Sequence, residues 1–383
     1  MTRPLRVLTI IGTRPEAIKM APVIRALAKH DQISYAVCLT AQHRQMLDQV
    51  MNLFDIQADY DLDLMKPDQS LPQLTAAVFT HLDPVLASYQ PDWLLVQGDT
   101  TSVMAAAFCA FYRQIRVGHV EAGLRTHDKW QPFPEEINRK VAGVLSDLHF
   151  APTELSRRNL LAEGVDPASI IITGNTIVDA INDVIQRPVT PEVSRILRDA
   201  RIDGQAKKLV LLTAHRRENF GKPIEDICQA ITNLTEYYGE KLHFVYPVHL
   251  NPHIQEPVYR LLGNNPHVTL THPLDYLSLA HLEKMAALII TDSGGIQEEA
   301  TALGKHAVVL RHVTERPEGI DAGLLHLTGT ETQTVFETVR RLIDSDLTHG
   351  HDEGFVNPYG DGHAAEKIVQ VLWQRSLLDG TEA

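Results

Sequence analysis

The sequence predicts an α/β protein built from two domains with parallel sheets. In both halves of the chain, a short apolar strand repeatedly leads through a polar or glycine-containing turn into a helix. The 383 residues exceed what one hydrophobic core usually supports, and 44% of them are apolar, which is enough to fill two cores. Prolines and small polar residues at 186–191 are typical of a linker and place the boundary near the middle of the chain.

Composition excludes several classes of protein. The formal net charge is -13, and basic residues occur singly instead of in runs, which argues against a nucleic-acid-binding surface. The three cysteines lie far apart without CxxC spacing, as expected for buried thiols in a reducing compartment. Because no run reaches the length of a membrane span and the first residues lack a secretory apolar region, we expect a soluble, cytoplasmic protein without a membrane partner.

The first half opens with a strand at residues 6–11, a glycine turn at Gly12, and a helix that continues to residue 29. Arg14 and Lys19 place two cations beside the start of this helix, where the macrodipole disfavours positive charge. We interpret them as ligand-binding residues. The alternative is a solvated basic face.

Three carboxylates follow in the same half. Asp99 comes after the apolar strand at 93–97, Glu121 ends a short strand, and Glu135 starts a helix. Asp99 also suits a helix N-cap, and Glu135 an ordinary partner of the macrodipole. Since the carboxyl ends of parallel strands share one edge of a sheet, we expect the three to lie close together and to serve acid–base chemistry.

In the second half, a strand at 208–213 runs into a polar segment that contains His215, Arg216 and Arg217. A single histidine is more often structural. The two neighbouring arginines favour a role for His215 in stabilising an anionic leaving group.

The turn at Ser293-Gly294-Gly295 connects a buried strand at 288–290 to a helix at 296–303. Two glycines let backbone N–H groups approach a ligand, and the helix N-terminus favours an anion, so the turn predicts a phosphate site. The alternative is an ordinary N-cap. Further along, Arg316 has Glu318 as a possible internal partner or can bind substrate.

Eight segments, in order and spread over nearly the whole chain, resemble the non-hydrolysing UDP-N-acetylglucosamine 2-epimerases of bacteria. They are Gly12-Thr-Arg-Pro-Glu-Ala-Ile-Lys19, Gln97-Gly-Asp-Thr-Thr101, His119-Val-Glu-Ala-Gly-Leu-Arg125, Pro132-Phe-Pro-Glu-Glu-Ile-Asn-Arg139, Ala214-His-Arg-Arg-Glu-Asn219, Pro247-Val-His-Leu-Asn251, Asp292-Ser-Gly-Gly-Ile-Gln-Glu-Glu299 and Thr314-Glu-Arg-Pro-Glu318.

This resemblance implies a GT-B-like fold, with two Rossmann-type domains whose parallel sheets face a central cleft. The first domain would comprise residues 1–175 together with a returning C-terminal helix at 363–380, and the second, UDP-binding domain residues 176–362. It also implies a homodimer that needs neither a cofactor nor a metal. The expected reaction interconverts UDP-N-acetylglucosamine and UDP-N-acetylmannosamine and supplies precursors for bacterial surface polysaccharide.

The resemblance also assigns site residues. Matching positions make Asp99, Glu121, Glu135 and His215 the catalytic set. The UDP part is expected to bind a second set, which the glycine turn completes: Arg14, Lys19, Ser293, Gly294, Gly295, Glu299 and Arg316.

The expected reaction begins with loss of UDP. The hydrogen on carbon 2 is too weakly acidic for direct removal, because no carbonyl adjoins it in the ring. Breaking the bond from carbon 1 to UDP gives carbon 1 oxocarbenium character, and this acidifies the hydrogen on carbon 2. A 2-acetamidoglucal intermediate follows, and UDP then adds back. Three alternatives stay open: a hydrolysing epimerase that releases N-acetylmannosamine, a GT-B glycosyltransferase, and a nucleotide-sugar-binding regulator without catalysis.

Many bacterial members of this family bind a second UDP-N-acetylglucosamine beside the active site. Gln42, His43 and Gln45 match that possible allosteric site, but Asp68 stands where an arginine is expected. Whether substrate activation survives is therefore an open question at the level of sequence.

Overall fold

The structure is a computed structural model that describes residues 3–40, 44–66, 68–202, 207–345 and 356–379. It divides into two compact units, one formed by Met1–Ala180 with Tyr359–Ala383 and the other by Ile181–Pro358. Each unit is a parallel β-sheet with helices between its strands, so the predicted GT-B-like class of two Rossmann-type α/β domains is confirmed. None of the helices in these ranges combines the length and apolar character that crossing a membrane requires.

The first unit contains a seven-stranded sheet in which every pairing is parallel. Its strands are β1 (Leu5–Ile11), β2 (Ile33–Leu39), β3 (Tyr60–Asp61), β4 (Trp93–Gln97), β5 (Arg116–Val120), β6 (Leu148–Ala151) and β7 (Ile170–Ile172). The order across the sheet is β3-β2-β1-β4-β5-β6-β7, so the direction of winding reverses between β1 and β4. In open α/β sheets, ligands bind at the carboxyl ends of the strands beside such a reversal.

Helices connect these strands. They are α1 (Arg14–Ala28), α2 (Arg44–Leu53), α3 (Leu71–Tyr89), α4 (Thr101–Tyr112), α5 (Glu135–Leu145), α6 (Glu154–Ala162) and α7 (Thr176–Val184). Several start with a side-chain cap. Thr13 accepts a hydrogen bond from the backbone N–H of Glu16, and Ser70 forms a reciprocal capping box with Gln73, so the helix starts are set by local sequence.

The second unit contains a six-stranded parallel sheet. Its strands are β8 (Lys208–Thr213), β9 (Leu242–Pro247), β10 (Val268–Thr271), β11 (Leu288–Thr291), β12 (Ala307–Val309) and β13 (Leu325–Leu327). Their order is β10-β9-β8-β11-β12-β13, with the reversal between β8 and β11. The helices before, between and after these strands are α8 (Pro191–Asp199), α9 (Lys222–Tyr238), α10 (Pro252–Leu262), α11 (Tyr276–Met285), α12 (Gly294–Ala302), α13 (Pro317–Asp321) and α14 (Thr332–Asp344).

Both faces of the second sheet are buried. Val210 and Leu212 of β8 pack with apolar residues of α9, α10 and α14, whereas Leu209 and Leu211 pack with those of α8 and α11. Alternate residues of one strand thus fill two separate cores. This explains why the strand is a continuous apolar run and not an alternating one.

The last helix, α15 (Ala364–Asp379), belongs to the first unit. The carboxylate of Asp179 accepts the backbone N–H groups of Ala364 and Ala365, which ties the start of α15 to α7. Near its end, the ring of Trp373 lies 5.0 Å from that of His30, which follows α1. The C-terminal segment is therefore a structural part of the first unit.

Candidate active site

The turn after β1 is shaped around Gly12. A Cβ at this position would lie 2.7 Å from the Thr40 hydroxyl oxygen, so no larger residue fits without displacement. The carboxylate of Glu16, which is almost fully buried, accepts the Gly12 N–H at 2.6 Å. Burial raises the pKa of Glu16 to about 7. Arg14 is the first residue of α1 and is partly exposed. It directly follows the turn that Glu16 holds in place.

Lys19 and Glu121 form a buried ion pair. The Lys19 ammonium lies 2.6 Å from a carboxylate oxygen of Glu121, and the two side chains are only 7% and 6% exposed. Gln97 donates its side-chain N–H to the other carboxylate oxygen. Lys19, whose charge is unfavourable near the start of α1, therefore has a specific carboxylate partner.

Asp99 is linked to α5. The guanidinium of Arg139 donates to the Asp99 carboxylate, and the side-chain amide of Asn138 donates to the Asp99 carbonyl at 3.0 Å. Glu135 is the first residue of α5, and Asn138 and Arg139 lie three and four positions later. Residues at these spacings share one helix face, so Glu135 projects from the same side of α5 as the two groups that hold Asp99.

Glu121 and Asp99 lie at the ends of neighbouring strands. The backbone N–H of Gly98 donates to Val120 at 3.0 Å, and the His119 ring nitrogen Nε2 lies 2.7 Å from the Gly98 carbonyl oxygen. Burial lowers the pKa of His119 to about 3, which keeps this ring neutral. The structure thus brings Asp99 and Glu121 to one edge of the first sheet, with Glu135 joined to Asp99 through α5.

In the second unit, Asp292 fixes the position of His215. Asp292 follows β11 and is fully buried, and one of its oxygens accepts the backbone N–H groups of His215 and Arg216 at 2.8 and 2.9 Å. Its other oxygen lies 3.1 Å from Nδ1 of His215, whose side chain is 42% exposed. Nε2, the other ring nitrogen, is therefore the one available for chemistry.

The charge of Asp292 is stabilised in place. Burial alone would raise the pKa of its carboxyl, but the hydrogen bonds and charge of His215 and the backbone N–H groups outweigh burial and lower it. The ring of His249 stacks on that of His215 at 5.7 Å and restricts its other face. Asp292 was not among the site residues expected from sequence. The feature that could have indicated it is its position as an aspartate at the end of a predicted strand.

The glycine turn leads into α12 one residue after Ser293. The predicted helix start at Ile296 is wrong by two positions, because the helix already includes Gly294 and Gly295. In the described structure, Ser293 occupies the N-cap position but makes no side-chain capping hydrogen bond. The simple capping interpretation therefore does not account for this serine.

Arg316 approaches the same helix start. A Cβ on Gly294 would lie 2.7 Å from a guanidinium nitrogen of Arg316, so the glycine makes room for the arginine. The guanidinium pairs with Glu298 at 2.8 Å and with Glu315 at 3.2 Å. Burial would raise the pKa of Glu315, but the charges of Arg316 and Arg311 lower it to about 2. Glu299 also lies on α12 and is buried.

The possible allosteric site lies mostly outside the described residues. Gln42 and His43 fall in the gap after residue 40, and of Gln45 only the backbone, within α2, is described. Asp68 is exposed, with a φ of 55°.

In the ranges that the structure describes, no three His, Cys, Asp or Glu side chains are grouped so that they could hold a metal ion.

Comparison with known proteins identifies the family. Residues 25–373 match the family described as UDP-N-acetylglucosamine 2-epimerase. The chain belongs to this family. A UDP-N-acetylglucosamine 2-epimerase of Yersinia pestis is 49% identical over 371 residues, covering 96% of this chain and 98% of that protein. The enzyme of the same name from Escherichia coli K12 is 48% identical over 370 residues, with the same coverage. The resemblance based on eight segments is confirmed.

Solved structures of the epimerase family share the fold. A UDP-GlcNAc 2-epimerase of Neisseria meningitidis, crystallised with UDP-GlcNAc, superposes with a TM-score of 0.90 at 46% identity, covering 97% of this chain and 100% of that chain. The Methanocaldococcus jannaschii enzyme, in complex with UDP-GlcNAc and UDP, has a TM-score of 0.81 at 32% identity, with the same coverage. A glycosyltransferase of Rickettsia africae, at 12% identity and a TM-score of 0.61, shares the fold alone.

Proposed function

We propose that this protein is a non-hydrolysing epimerase that interconverts UDP-N-acetylglucosamine and UDP-N-acetylmannosamine. The observation that carries the proposal is the similarity, over nearly the full length of both chains, to proteins named UDP-N-acetylglucosamine 2-epimerase. The site residues support it, because each of the four expected catalytic side chains lies at the carboxyl end of a parallel strand or on a helix that contacts one. No cofactor is required by the proposed chemistry.

The first step breaks the bond between carbon 1 of the sugar and the β-phosphate oxygen of UDP. The departing diphosphate takes the electron pair, so the groups that stabilise its charge control the rate. In the second unit, we assign this task to the start of α12 with Ser293, Gly294 and Gly295, to Arg316, and to His215 through Nε2. We assign Arg14 and Lys19 of the first unit, and Glu299 of the second, to binding of the UDP part.

The second step moves protons at carbon 2. A carboxylate removes the hydrogen and leaves 2-acetamidoglucal, and a proton is then delivered to the opposite face while UDP oxygen adds back to carbon 1. Inversion requires groups on both faces, and Asp99, Glu121 and Glu135 supply them. The two carboxylates have different surroundings. Glu121 forms a buried ion pair with Lys19, whereas the more exposed Asp99 pairs with Arg139, which suits them to different roles.

Incubation with UDP-N-acetylglucosamine alone in deuterated water tests this function. Proton and phosphorus NMR should show both UDP-sugars at equilibrium, with deuterium at carbon 2, and a small amount of free UDP and glycal. Free N-acetylmannosamine with stoichiometric UDP would instead identify a hydrolysing epimerase. Binding without turnover would indicate a glycosyltransferase or a regulator. Product without deuterium after many turnovers would contradict exchangeable carboxylate bases.

We also propose that the protein is a homodimer, joined through the first unit. Phe79, Phe108 and Tyr112 form a ring cluster on α3 and α4, in which centroids lie 5.9 to 6.3 Å apart. Tyr112 is 69% exposed and Phe111 beside it is 56% exposed. Large aromatic residues exposed together mark a protein contact surface, and a second copy of the chain fits the expectation from the family.

Light scattering after gel filtration tests the dimer. The wild type should have twice the 42.8 kDa chain mass. Replacing Phe111 and Tyr112 with glutamate should give the monomer, because two charges would then be buried without partners. Tyr237→Glu is the matched control, since that tyrosine is 58% exposed in the second unit and should leave the mass unchanged. A monomeric wild type would overturn the proposal.

We also propose a cellular location and role. A cytoplasmic location and a supply of precursor for surface polysaccharide follow from the proposed substrates.

We propose a regulatory site as well. For the second UDP-N-acetylglucosamine site, the rate should depend sigmoidally on substrate concentration, and replacing Gln42 and Gln45 with alanine should make that dependence hyperbolic. A hyperbolic wild type would show that Asp68 in the loop has removed the activation.

A further inference from the structure

Helix α5 carries three buried polar side chains to which no catalytic or substrate-binding role has been assigned. Glu136 is fully buried, and Asn138 and Arg139 are 4% and 5% exposed. Burying three polar side chains on one short helix is costly unless each makes specific hydrogen bonds. Their partners lie in the segments that carry the proposed catalytic carboxylates.

Arg139 is the centre of this network. One arm of its guanidinium donates to the carboxylate of Asp99, and the other donates to Glu136 at 3.1 Å. Glu136 in turn accepts the backbone N–H groups of Thr126 and His127, both at 3.1 Å. A single planar group thus connects Asp99, the first turn of α5 and the loop before it.

We propose that Arg139 is a positioning residue that fixes the Asp99 carboxylate relative to Glu135 for proton transfer. The inference rests on the proposed epimerase function, and it assigns Arg139 no contact with substrate. Only arginine can make both bonds, since its donors are spaced in a rigid fork and a lysine ammonium is a single point of charge. The Asp99 side chain is 27% exposed, so it has room to turn away if this fork is lost.

The test is a double-mutant cycle between Arg139→Gln and Asp99→Asn, measured as kcat and KM for UDP-N-acetylglucosamine. Arg139→Gln alone should lower kcat by about 30-fold, within the range for misplacing an acid–base group, with KM changed less than about threefold. In the Asp99→Asn background, the same change should cost less than about threefold, because Arg139 acts through Asp99. Independent, multiplicative losses would overturn the proposal, since a structural role gives that result.

Arg125→Gln is the matched control. Arg125 is also a buried arginine of the first unit, with a 1% exposed side chain, but its partner is Glu163, the residue that follows α6. Its loss should reduce stability with less than about a threefold change in kcat. If Arg139→Gln fails to fold, Arg139→Lys replaces it in the cycle, with a smaller loss of kcat expected and the same non-additivity required.

A readout without turnover separates this inference from the proposed function. In a crystal structure of Arg139→Gln, or of Arg139→Lys, the Asp99 carboxylate should occupy a different rotamer while α5 keeps its position. An unchanged Asp99 would refute the positioning role even if the protein proves not to be an epimerase. A wild type that lacks epimerase activity would refute the proposed function alone.

Discussion

Glu16 makes the stability of the first unit depend on pH, and Glu16→Gln should abolish that dependence. The carboxyl is buried behind Gly12, and burial raises its pKa from 4.5 to about 7. The folded state therefore holds a proton that the unfolded chain releases between these two pH values. The contribution of Glu16 to stability is fully present below the unfolded pKa of 4.5 and is lost as pH rises through the folded pKa of about 7.

The magnitude follows from the two pKa values. At about 1.4 kcal/mol per pKa unit, ionising this buried group costs the wild type about 3 kcal/mol of unfolding free energy at pH 8 relative to pH 4.5. Glutamine keeps the oxygen that accepts the Gly12 N–H and has no proton to lose. The difference in stability between the variant and the wild type should therefore grow in favour of the variant by about 3 kcal/mol over this range.

Urea unfolding followed by tryptophan fluorescence measures the first unit selectively. Trp93, Trp130 and Trp373, the three tryptophans of the chain, all belong to it. Glu154→Gln, at a side chain that is 56% exposed on α6, is the control and should leave the pH dependence as in the wild type. Parallel curves for the wild type and Glu16→Gln from pH 4.5 to pH 8 would refute the reasoning.

Three further changes test other parts of the structure. Gly123→Ala places a Cβ 2.3 Å from a backbone oxygen at a φ of +93°, and it should lower the free energy of unfolding in urea by more than about 3 kcal/mol. Gly164→Ala is the control, because its φ is similar, at +84°, but nothing lies within 4 Å of the added Cβ. It should lower the free energy of unfolding by about 1 kcal/mol. Similar losses for the two would show that the clash is relieved. Asp292→Asn should lower kcat about 100-fold with a stable fold, because the histidine ring loses its anionic partner; a kcat within threefold of the wild type would contradict this. Gly294→Ala should raise the Kd for UDP about tenfold in calorimetry by displacing Arg316, and unchanged affinity would count against a diphosphate site there.

Much of the fold follows from local sequence. Short apolar runs that end in Gly-Asp or Ser-Gly-Gly predict strands followed by helices, and Trp93–Gln97 and Leu288–Thr291 are such strands. The strand ends in turn place Asp99 and Glu121, since parallel strands have their carboxyl ends at one edge. The start of α12 was less predictable, because glycines that suit a turn also tolerate the first turn of a helix.

The residues that hold the site in place could not be found in this way. Lys19 meets Glu121 across 102 positions, and His215 meets Asp292 across 77, so these pairs depend on the order of the strands in each sheet. Glu136 illustrates a second reason. An acidic residue in a first helical turn is explained by the macrodipole alone, and its two backbone partners, ten and nine positions earlier in the preceding loop, leave no signal in the local pattern.

The return of α15 to the first unit has a consequence for synthesis. Residues 181–358 form the second unit without contribution from either end of the chain, so this unit can fold on the ribosome soon after residue 358 leaves the exit tunnel. The first unit is completed only after α15 has been translated, although residues 1–180 emerge earlier. Until then, Asp179 lacks the backbone N–H groups that it accepts and His30 lacks the ring of Trp373.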